Sequence, residues 1–253
     1  MAGFPVGSKL NAKILSLQGR NMSNTTTRAD FARQAIEKYA TQHVINSFVS
    51  IIKLIEVDPE IAAKSRKRNA PAILSDQYIQ DQAISFLNSR APKAPKAPET
   101  VPDEMVSFVL EKYFSIPAQE LPEIKRTHQL SMGAENIIGE LVERYLASVL
   151  EPLGWAWCSG AMIKAIDFVK PPDLSAPRDS WVLLQVKNRD NTENSSSSAI
   201  RNGTEIKKWF RTFALNGNTN WEAFSVFETK AKLDEQGFKK FVTDYLANLP
   251  KQS

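Results

Sequence analysis

The chain has 253 residues, of which 42% are hydrophobic and 24% are charged, with 32 Lys and Arg against 28 Asp and Glu and a single cysteine. These values exclude a disordered chain and a disulfide-stapled scaffold. The net charge of +4 favours a polyanionic partner without requiring one. No basic leader with an apolar segment opens the chain, and no window reaches the roughly 18 apolar residues of a membrane span, so we expect a soluble cytoplasmic protein without a membrane partner.

The first ninety residues predict a mainly helical region. Residues 25–58 place apolar side chains at helical intervals, with Thr27 or Asp30 available as the N-cap. A second helix is predicted over residues 75–90, with Ser75 as its N-cap. Residues 91–102, APKAPKAPETVP, carry four prolines, which favours an extended path. We therefore divide the chain into a helical region 1–90, a linker or arm 91–102, and a third region 103–253.

The third region mixes helix and strand patterns. Helical spacing predicts helices over residues 103–116, 131–154, 203–217 and 237–249. Apolar runs predict strands within residues 155–160, 161–169, 181–187 and 221–233, and the second of these is expected to end near Asp167. The predicted fold class is α/β in composition, of the α+β type with a mixed sheet.

Three polar side chains near these strands predict a catalytic site. Gln185 and Lys187 lie two residues apart on one strand and therefore share a face, and Asp167 comes from the preceding strand. Hydrolysis of a phosphodiester needs oxygen ligands for a hard cation such as Mg²⁺, and a lysine beside the attacking water. Asp167, the amide oxygen of Gln185 and the backbone carbonyl of Val186 are the predicted metal ligands, and Lys187 is the predicted catalytic lysine.

These residues resemble the motif of the PD-(D/E)XK nuclease superfamily, which reads here as Ile166-Asp167 followed by Gln185-Val186-Lys187. Gln replaces the middle carboxylate of the motif. The segment QVKNRDNTENSSSSAIRNGTEIKKW is similar to type II restriction endonucleases, most closely the SinI and AvaII group, whose members cut at GGWCC. The resemblance implies a restriction-endonuclease-like core in residues 103–253, Mg²⁺ as cofactor, double-stranded DNA as substrate and a bacterial homodimer.

The same resemblance implies a further acidic residue on the helix before the strands. The helix carries the pattern Gly139-x-x-x-Glu143-Arg144, in which Glu143 matches a glutamate that often joins the metal site of this superfamily. Glu135 and Glu140 lie on the same helix, and both remain open as alternatives.

The polar tract after Lys187 is the predicted DNA-binding segment. A strand that delivers Lys187 to a phosphate also places the following residues against DNA, where Asn, Arg and Ser side chains contact base edges and phosphates. The predicted DNA contacts are Asn188, Arg189, Asn191, Asn194, Ser195, Ser196, Ser197, Ser198 and Arg201. Lys207, Lys208 and Arg211, on the predicted helix that follows, are candidates for phosphate contacts.

Three alternatives to a restriction endonuclease remain open. One is another nuclease of the superfamily, acting on junctions or in repair. A second is a DNA-binding protein with a degenerate nuclease site, which Gln185 makes conceivable. The third is a helical interaction protein without a DNA role. For the N-terminal region we expect a part in subunit packing or in embracing DNA, because its apolar stripe needs cover.

Overall fold

The computed structural model describes residues 27–63, 68–100, 103–160, 162–173, 180–191 and 205–249. Within these ranges lie six α-helices and four strands. The helices are α1 (Arg28–Ile36), α2 (Gln42–Val57), α3 (Asp76–Ser89), α4 (Glu104–Lys112), α5 (Leu121–Leu150) and α6 (Glu235–Ala247); the strands are β1 (Ala156–Trp157), β2 (Phe168–Lys170), β3 (Val182–Arg189) and β4 (Lys207–Thr212). The predicted α+β class is confirmed.

The N-terminal apolar pattern forms two helices. Thr27 caps α1 through a reciprocal capping box with Asp30, and the chain breaks from helical geometry before α2 begins at Gln42. Nine residues of α2 are buried, and the eight apolar ones share one core with Ala156, Val169 and other residues of the sheet. The apolar stripe of α2 is therefore buried against the sheet of the same chain. An exposed apolar surface no longer supports a role of this region in subunit packing.

The Pro-rich segment is an extended arm that lies against α5. Residues 91–100 have no helix or strand, and the Tyr245 hydroxyl on α6 both accepts from Lys93 N at 2.6 Å and donates to Lys93 O at 3.0 Å. Gly133 allows the close approach, because a Cβ there would lie 2.9 Å from Ala97 N and Lys96 O. Arg144 of α5 donates to three carbonyls where α3 ends and the arm begins, those of Ser89, Arg90 and Ala91.

The four strands form one mixed sheet in the order β1-β2-β3-β4. The first two pairings are antiparallel and the pairing of β3 with β4 is parallel. One face packs on the N-terminal helices, and the other packs on α5 and α6 through Leu184, Val186 and Trp209. Among the described residues, no helix is both long and apolar enough to cross a membrane.

The predicted helix over residues 203–217 is wrong, because its described part contains strand β4. Ile206, Trp209, Phe210 and Phe213 satisfy helical spacing, but the aromatic residues equally suit a strand. Pairing with β3 from Leu184↔Lys207 to Arg189↔Thr212 decides in favour of the strand. Tertiary context has overridden the local pattern.

Two further predictions near the sheet are also wrong. Residues 221–233 contain a 3₁₀-helix, Glu222–Val226, in place of a strand, with Trp221 and Phe224 buried three positions apart. Asp167 precedes β2, which begins at Phe168, whereas a strand was expected to end there. The closing helix is confirmed as α6, which Asp234 caps by accepting from Gly237 N at 2.6 Å.

Candidate active site

Strand β3 carries the predicted glutamine and lysine. Its pairing with β4 is continuous from Gln185↔Lys208 to Lys187↔Phe210, so Gln185 and Lys187 lie on one face of the strand. Gln185 is only 2% exposed, whereas Lys187 is partly exposed. The strand therefore passes from the protein interior to an accessible surface at these two residues.

Asp167 lies where β2 and β3 separate. The ladder between these strands includes Phe168↔Leu184, and its continuation would pair Ile166 with Val186. Instead, Asp167 N donates to Leu184 O at 2.9 Å, and Asp167 Oδ2 accepts from Val186 N at 2.7 Å. A side-chain oxygen takes the place of a backbone carbonyl, and this bond fixes the carboxylate beside the Gln185-Val186-Lys187 segment.

Glu143 approaches the same place from helix α5. Its Oε2 accepts from Trp157 Nε1 at 2.9 Å. Two guanidinium groups also contact the Trp157 ring, with Arg90 Cζ at 4.9 Å and Arg144 Cζ at 5.4 Å from the ring centre. The Glu143 carboxylate is therefore oriented by a fixed indole.

The two carboxyl groups share an environment that disfavours their charge. The pKa of Glu143 is raised from 4.5 to about 8, first by burial and then by the negative charge of Asp167, while the hydrogen bond from Trp157 and the charge of Lys187 act in the opposite direction. Burial also raises the pKa of Asp167, although the Val186 N–H and Lys187 oppose this shift. The charges of Asp167 and Lys187 both act on Glu143, whose side chain lines the same groove as Lys187.

The donor set fits a hard divalent cation. Within the described part of the chain, Gln185 Oε1 is buried without a hydrogen-bond partner, which is costly for an amide oxygen. A cation beside it would satisfy this oxygen and would favour ionisation of both carboxyl groups. The described residues contain no group of three or more His, Cys, Asp or Glu suited to a metal, so the fit depends on the amide and backbone oxygens as well as on the two carboxylates.

Of the three glutamates left open on α5, Glu143 is the one beside Asp167. Glu140 instead accepts from Arg144 Nη2 at 2.6 Å and from Lys93 Nζ at 2.9 Å. Glu135 is exposed at the edge of a groove. The contacts of the other two glutamates thus favour Glu143 as the acidic residue of the site.

A groove of about 680 Å³ opens beside these residues. Its wall on α5 includes Asn136 and Gly139, neither of which was singled out as a site residue from the sequence. The full lining is Glu135, Asn136, Ile138, Gly139, Glu143, Val186, Lys187, Asn188, Arg189, Asn191 and Arg211. Gly139 was the available signal in the sequence for this wall of the groove. Glycine inside a helix is destabilising, so its presence there indicates a position at which a side chain would interfere with packing or binding.

The predicted DNA-binding residues divide between this groove and regions that are not described. Asn188, Arg189 and Asn191 line the groove. Asn194, Ser195, Ser196, Ser197, Ser198 and Arg201 lie outside the described residues. Lys207, Lys208 and Arg211 lie on β4 and not on a helix, and Arg211 forms an ion pair with Glu235 at 2.8 Å.

Comparison with known proteins matches the family implied by the motif. A family model described as SinI restriction endonuclease matches residues 28–248. Type II restriction enzyme Eco47I of Escherichia coli is 47% identical over 205 residues, which cover 81% of this chain and 88% of that protein. Type II restriction enzyme SinI of Salmonella infantis is 48% identical over 203 residues, which cover 80% and 87%. The chain therefore belongs to the SinI restriction endonuclease family and is a type II restriction endonuclease.

Proposed function

We propose that the chain cuts both strands of double-stranded DNA at a short specific site, with GGWCC as the candidate sequence, and that it requires Mg²⁺. One observation carries the proposal: Glu143 and Lys187 line one groove with further polar side chains, and the partly buried carboxyl group of Asp167 is bound to Val186 N, next to Lys187. The SinI and AvaII resemblance supplies the candidate sequence, which the geometry of the described residues does not specify.

Each side chain of the site has a distinct proposed role. Asp167, Glu143, Gln185 Oε1 and the carbonyl of Val186 hold the cation. A bound divalent cation supplies positive charge for the phosphate oxygens and lowers the pKa of an attacking water. Lys187 orients or deprotonates that water, or stabilises the charge that develops on the phosphate.

DNA recognition is assigned to residues after Lys187. Asn188, Arg189 and Asn191 already line the groove beside the catalytic groups. We propose that the rest of the segment extends this contact along the duplex through Asn194, the four serines 195–198 and Arg201. The catalytic lysine and the recognition residues then belong to one continuous stretch of chain.

We also propose that the enzyme is a homodimer in the bacterial cytoplasm, since one such site per subunit can cut one strand. Helix α4 has no buried residue among those described, and its Met105, Val106, Phe108 and Val109 are all at least 48% exposed. This apolar surface is our candidate for the subunit contact. Sedimentation of the purified protein at twice the mass of the chain would support the dimer.

A catalytically inactive DNA-binding protein is the second candidate, because Gln185 stands where the superfamily motif has a carboxylate. A neutral amide holds Mg²⁺ less well than a carboxylate does. Sequence-specific binding without any nicking during long incubation would favour this alternative.

Digestion of plasmid DNA tests the proposed function. We expect discrete fragments in the presence of Mg²⁺ and intact plasmid when the divalent cation is chelated, because the proposed mechanism needs the cation to supply positive charge to the phosphate oxygens. Sequencing of the fragment ends should place all cuts within one short sequence. Random ends, or equal cleavage with and without the cation, would contradict the proposal.

Two glycines of α5 test whether the groove holds DNA. A Cβ at Gly139 would meet no atom of the described residues within 4 Å, so Gly139→Ala should raise the free energy of unfolding by about 1 kcal/mol. Gly139→Leu should keep a stable fold but reduce DNA cleavage, because its side chain enters the groove.

Gly133→Ala is the matched control in the same helix. Its Cβ would lie 2.9 Å from backbone atoms of the arm, so this variant should lose stability, since overpacking costs about 1–3 kcal/mol. Chemical denaturation and plasmid cleavage give both results. Full cleavage activity in a folded Gly139→Leu protein would exclude DNA from this part of the groove.

A further inference from the structure

A chain of hydrogen bonds runs from α6 to the first residue after the catalytic lysine. Trp221 Nε1 donates to Glu235 Oε2 at 2.8 Å. Arg211 Nη1 donates to both oxygens of Glu235, at 2.8 and 2.9 Å, and Arg211 Nε donates to Asn188 Oδ1 at 2.9 Å. The Arg211 side chain is 14% exposed and the Glu235 side chain is 28% exposed, so the pair is partly shielded from water.

This chain of bonds fixes which end of the Asn188 amide is available. A guanidinium group only donates hydrogen bonds, so the atom of Asn188 that faces Arg211 must be the oxygen. The amide NH₂ therefore points away from Arg211. Among the described residues no hydrogen bond from Asn188 Nδ2 is found, and Asn188 lines the groove beside Lys187.

The orientation limits what Asn188 can recognise. An asparagine that reads adenine in the major groove uses its oxygen and its NH₂ together, as an acceptor and a donor. Here Arg211 Nε occupies one of the two acceptor positions of the oxygen, and the NH₂, with both of its donors, is the group that faces away from Arg211. Guanine presents two acceptors, O6 and N7, on its major-groove edge, and so matches this donor.

We infer that Asn188 is a specificity residue that donates from its NH₂ to an acceptor on a guanine of the DNA site, and that Arg211 is a positioning residue that sets this orientation of the amide. The inference rests on the proposed function, because it requires DNA in the groove. It also gives Arg211 a role other than the expected phosphate contact, since Nε and Nη1 of its guanidinium already have partners within the protein.

Two substitutions at Asn188 distinguish the loss of the NH₂ donor from its replacement by an acceptor. Asn188→Ala removes the donor, and Asn188→Asp keeps an oxygen for Arg211 but replaces the NH₂ with a second oxygen. We expect Asn188→Ala to weaken binding to a short duplex carrying the cleavage site of the wild-type protein by about 10- to 100-fold. Asn188→Asp should weaken binding more than Asn188→Ala, because an acceptor then faces an acceptor.

Modified DNA identifies the group that is contacted. 7-Deazaguanine is placed at each guanine of the site in turn. At one position this change should weaken DNA binding by the wild-type protein, whereas Asn188→Ala, which already lacks the contact, should bind the modified and unmodified duplex about equally. Methylphosphonate at each phosphate forms the other arm. The contrary result is a methylphosphonate that weakens binding of the wild-type protein and has little further effect on Asn188→Ala. If no modified guanine gives this pattern, Asn188 contacts a phosphate, and the assignment to a base is overturned.

A double-mutant cycle tests the positioning role of Arg211. Arg211→Lys should weaken specific binding in the wild-type background but have little effect in the Asn188→Ala background, with thermal unfolding showing that each variant is folded. Independent, additive losses would overturn the positioning role. A wild-type protein that cuts at its site while both Asn188 variants bind and cut equally well would overturn this inference alone, whereas a wild-type protein without specific cleavage would overturn the proposed function.

Discussion

Asp167→Asn is expected to reduce DNA cleavage by about a thousand-fold or more while DNA binding is retained. The substitution keeps an oxygen that can accept from Val186 N, which Asp167 Oδ2 now does at 2.7 Å, so the separation of β2 and β3 should persist. What is lost is the negative charge for the cation, and charge stabilisation by a catalytic metal contributes several kcal/mol. Single-turnover cleavage of plasmid with excess enzyme measures the effect.

Lys187→Ala should show a similar pattern, with a loss of about 10²- to 10⁴-fold, the usual contribution of a group that transfers a proton. Lys240→Ala is the matched control, because Lys240 lies exposed on α6, paired with Asp244 at 3.1 Å. Cleavage at the wild-type rate by both site variants would show that Asp167 and Lys187 do not form the catalytic site.

Glu143→Gln is expected to reduce the pH dependence of the free energy of unfolding in the protein without divalent cations. The pKa of Glu143 is raised in the folded state, to about 8 from 4.5, chiefly by burial and then by the charge of Asp167. The folded protein therefore binds more protons than the unfolded chain between these values. Stability from this group is fully present below about pH 4.5 and is lost as pH rises through about 8.

Denaturation at different pH values can measure how steeply the free energy of unfolding falls, and this slope has an upper limit. One such group lowers the free energy of unfolding by at most about 1.4 kcal/mol per pH unit. Asp167 adds a change of the same sign, because its pKa is also raised. Urea denaturation between pH 5 and pH 9 should show a smaller decline in Glu143→Gln than in the wild-type protein, and added Mg²⁺ should reduce the wild-type decline. If the free energy of unfolding declined with pH equally in both proteins, the raised pKa of Glu143 in the folded state would be contradicted.

The catalytic strand was predictable from the sequence because its signals are local. An apolar run that leads to Lys187 indicates a buried strand, and the spacing of Gln185 and Lys187 places them on one face without further information. The N-caps at Thr27 and Ser75 were predictable for the same reason, since each cap bond joins residues three apart. Local patterns are sufficient where the deciding contact is itself local.

Strand β4 was not predictable because its deciding contact is distant. Ile206, Trp209, Phe210 and Phe213 fit a helix as well as a strand, and pairing with β3 selects the strand. The orientation of Asn188 follows from that selection, because Arg211 reaches Asn188 from β4. A helix at this position would have given no reason to connect the two residues.

The acidic residue of α5 shows an intermediate case. Spacing along the helix does not distinguish Glu135, Glu140 and Glu143, and the resemblance to the superfamily favoured Glu143. The distinguishing contacts come from other elements, since Trp157 of β1 holds Glu143 while Lys93 of the arm pairs with Glu140. Sequence reasoning therefore proposes the set, and tertiary packing selects among its members.

The position of a bound cation tests the central claim most directly. In a crystal of the protein with a duplex carrying its cleavage site and Ca²⁺, we expect the ion to contact both an Asp167 carboxylate oxygen and Gln185 Oε1 at about 2.3–2.6 Å. Lys187 should face the adjacent phosphate. An ion bound away from Asp167 and Gln185, or a duplex that leaves this groove empty, would contradict the account.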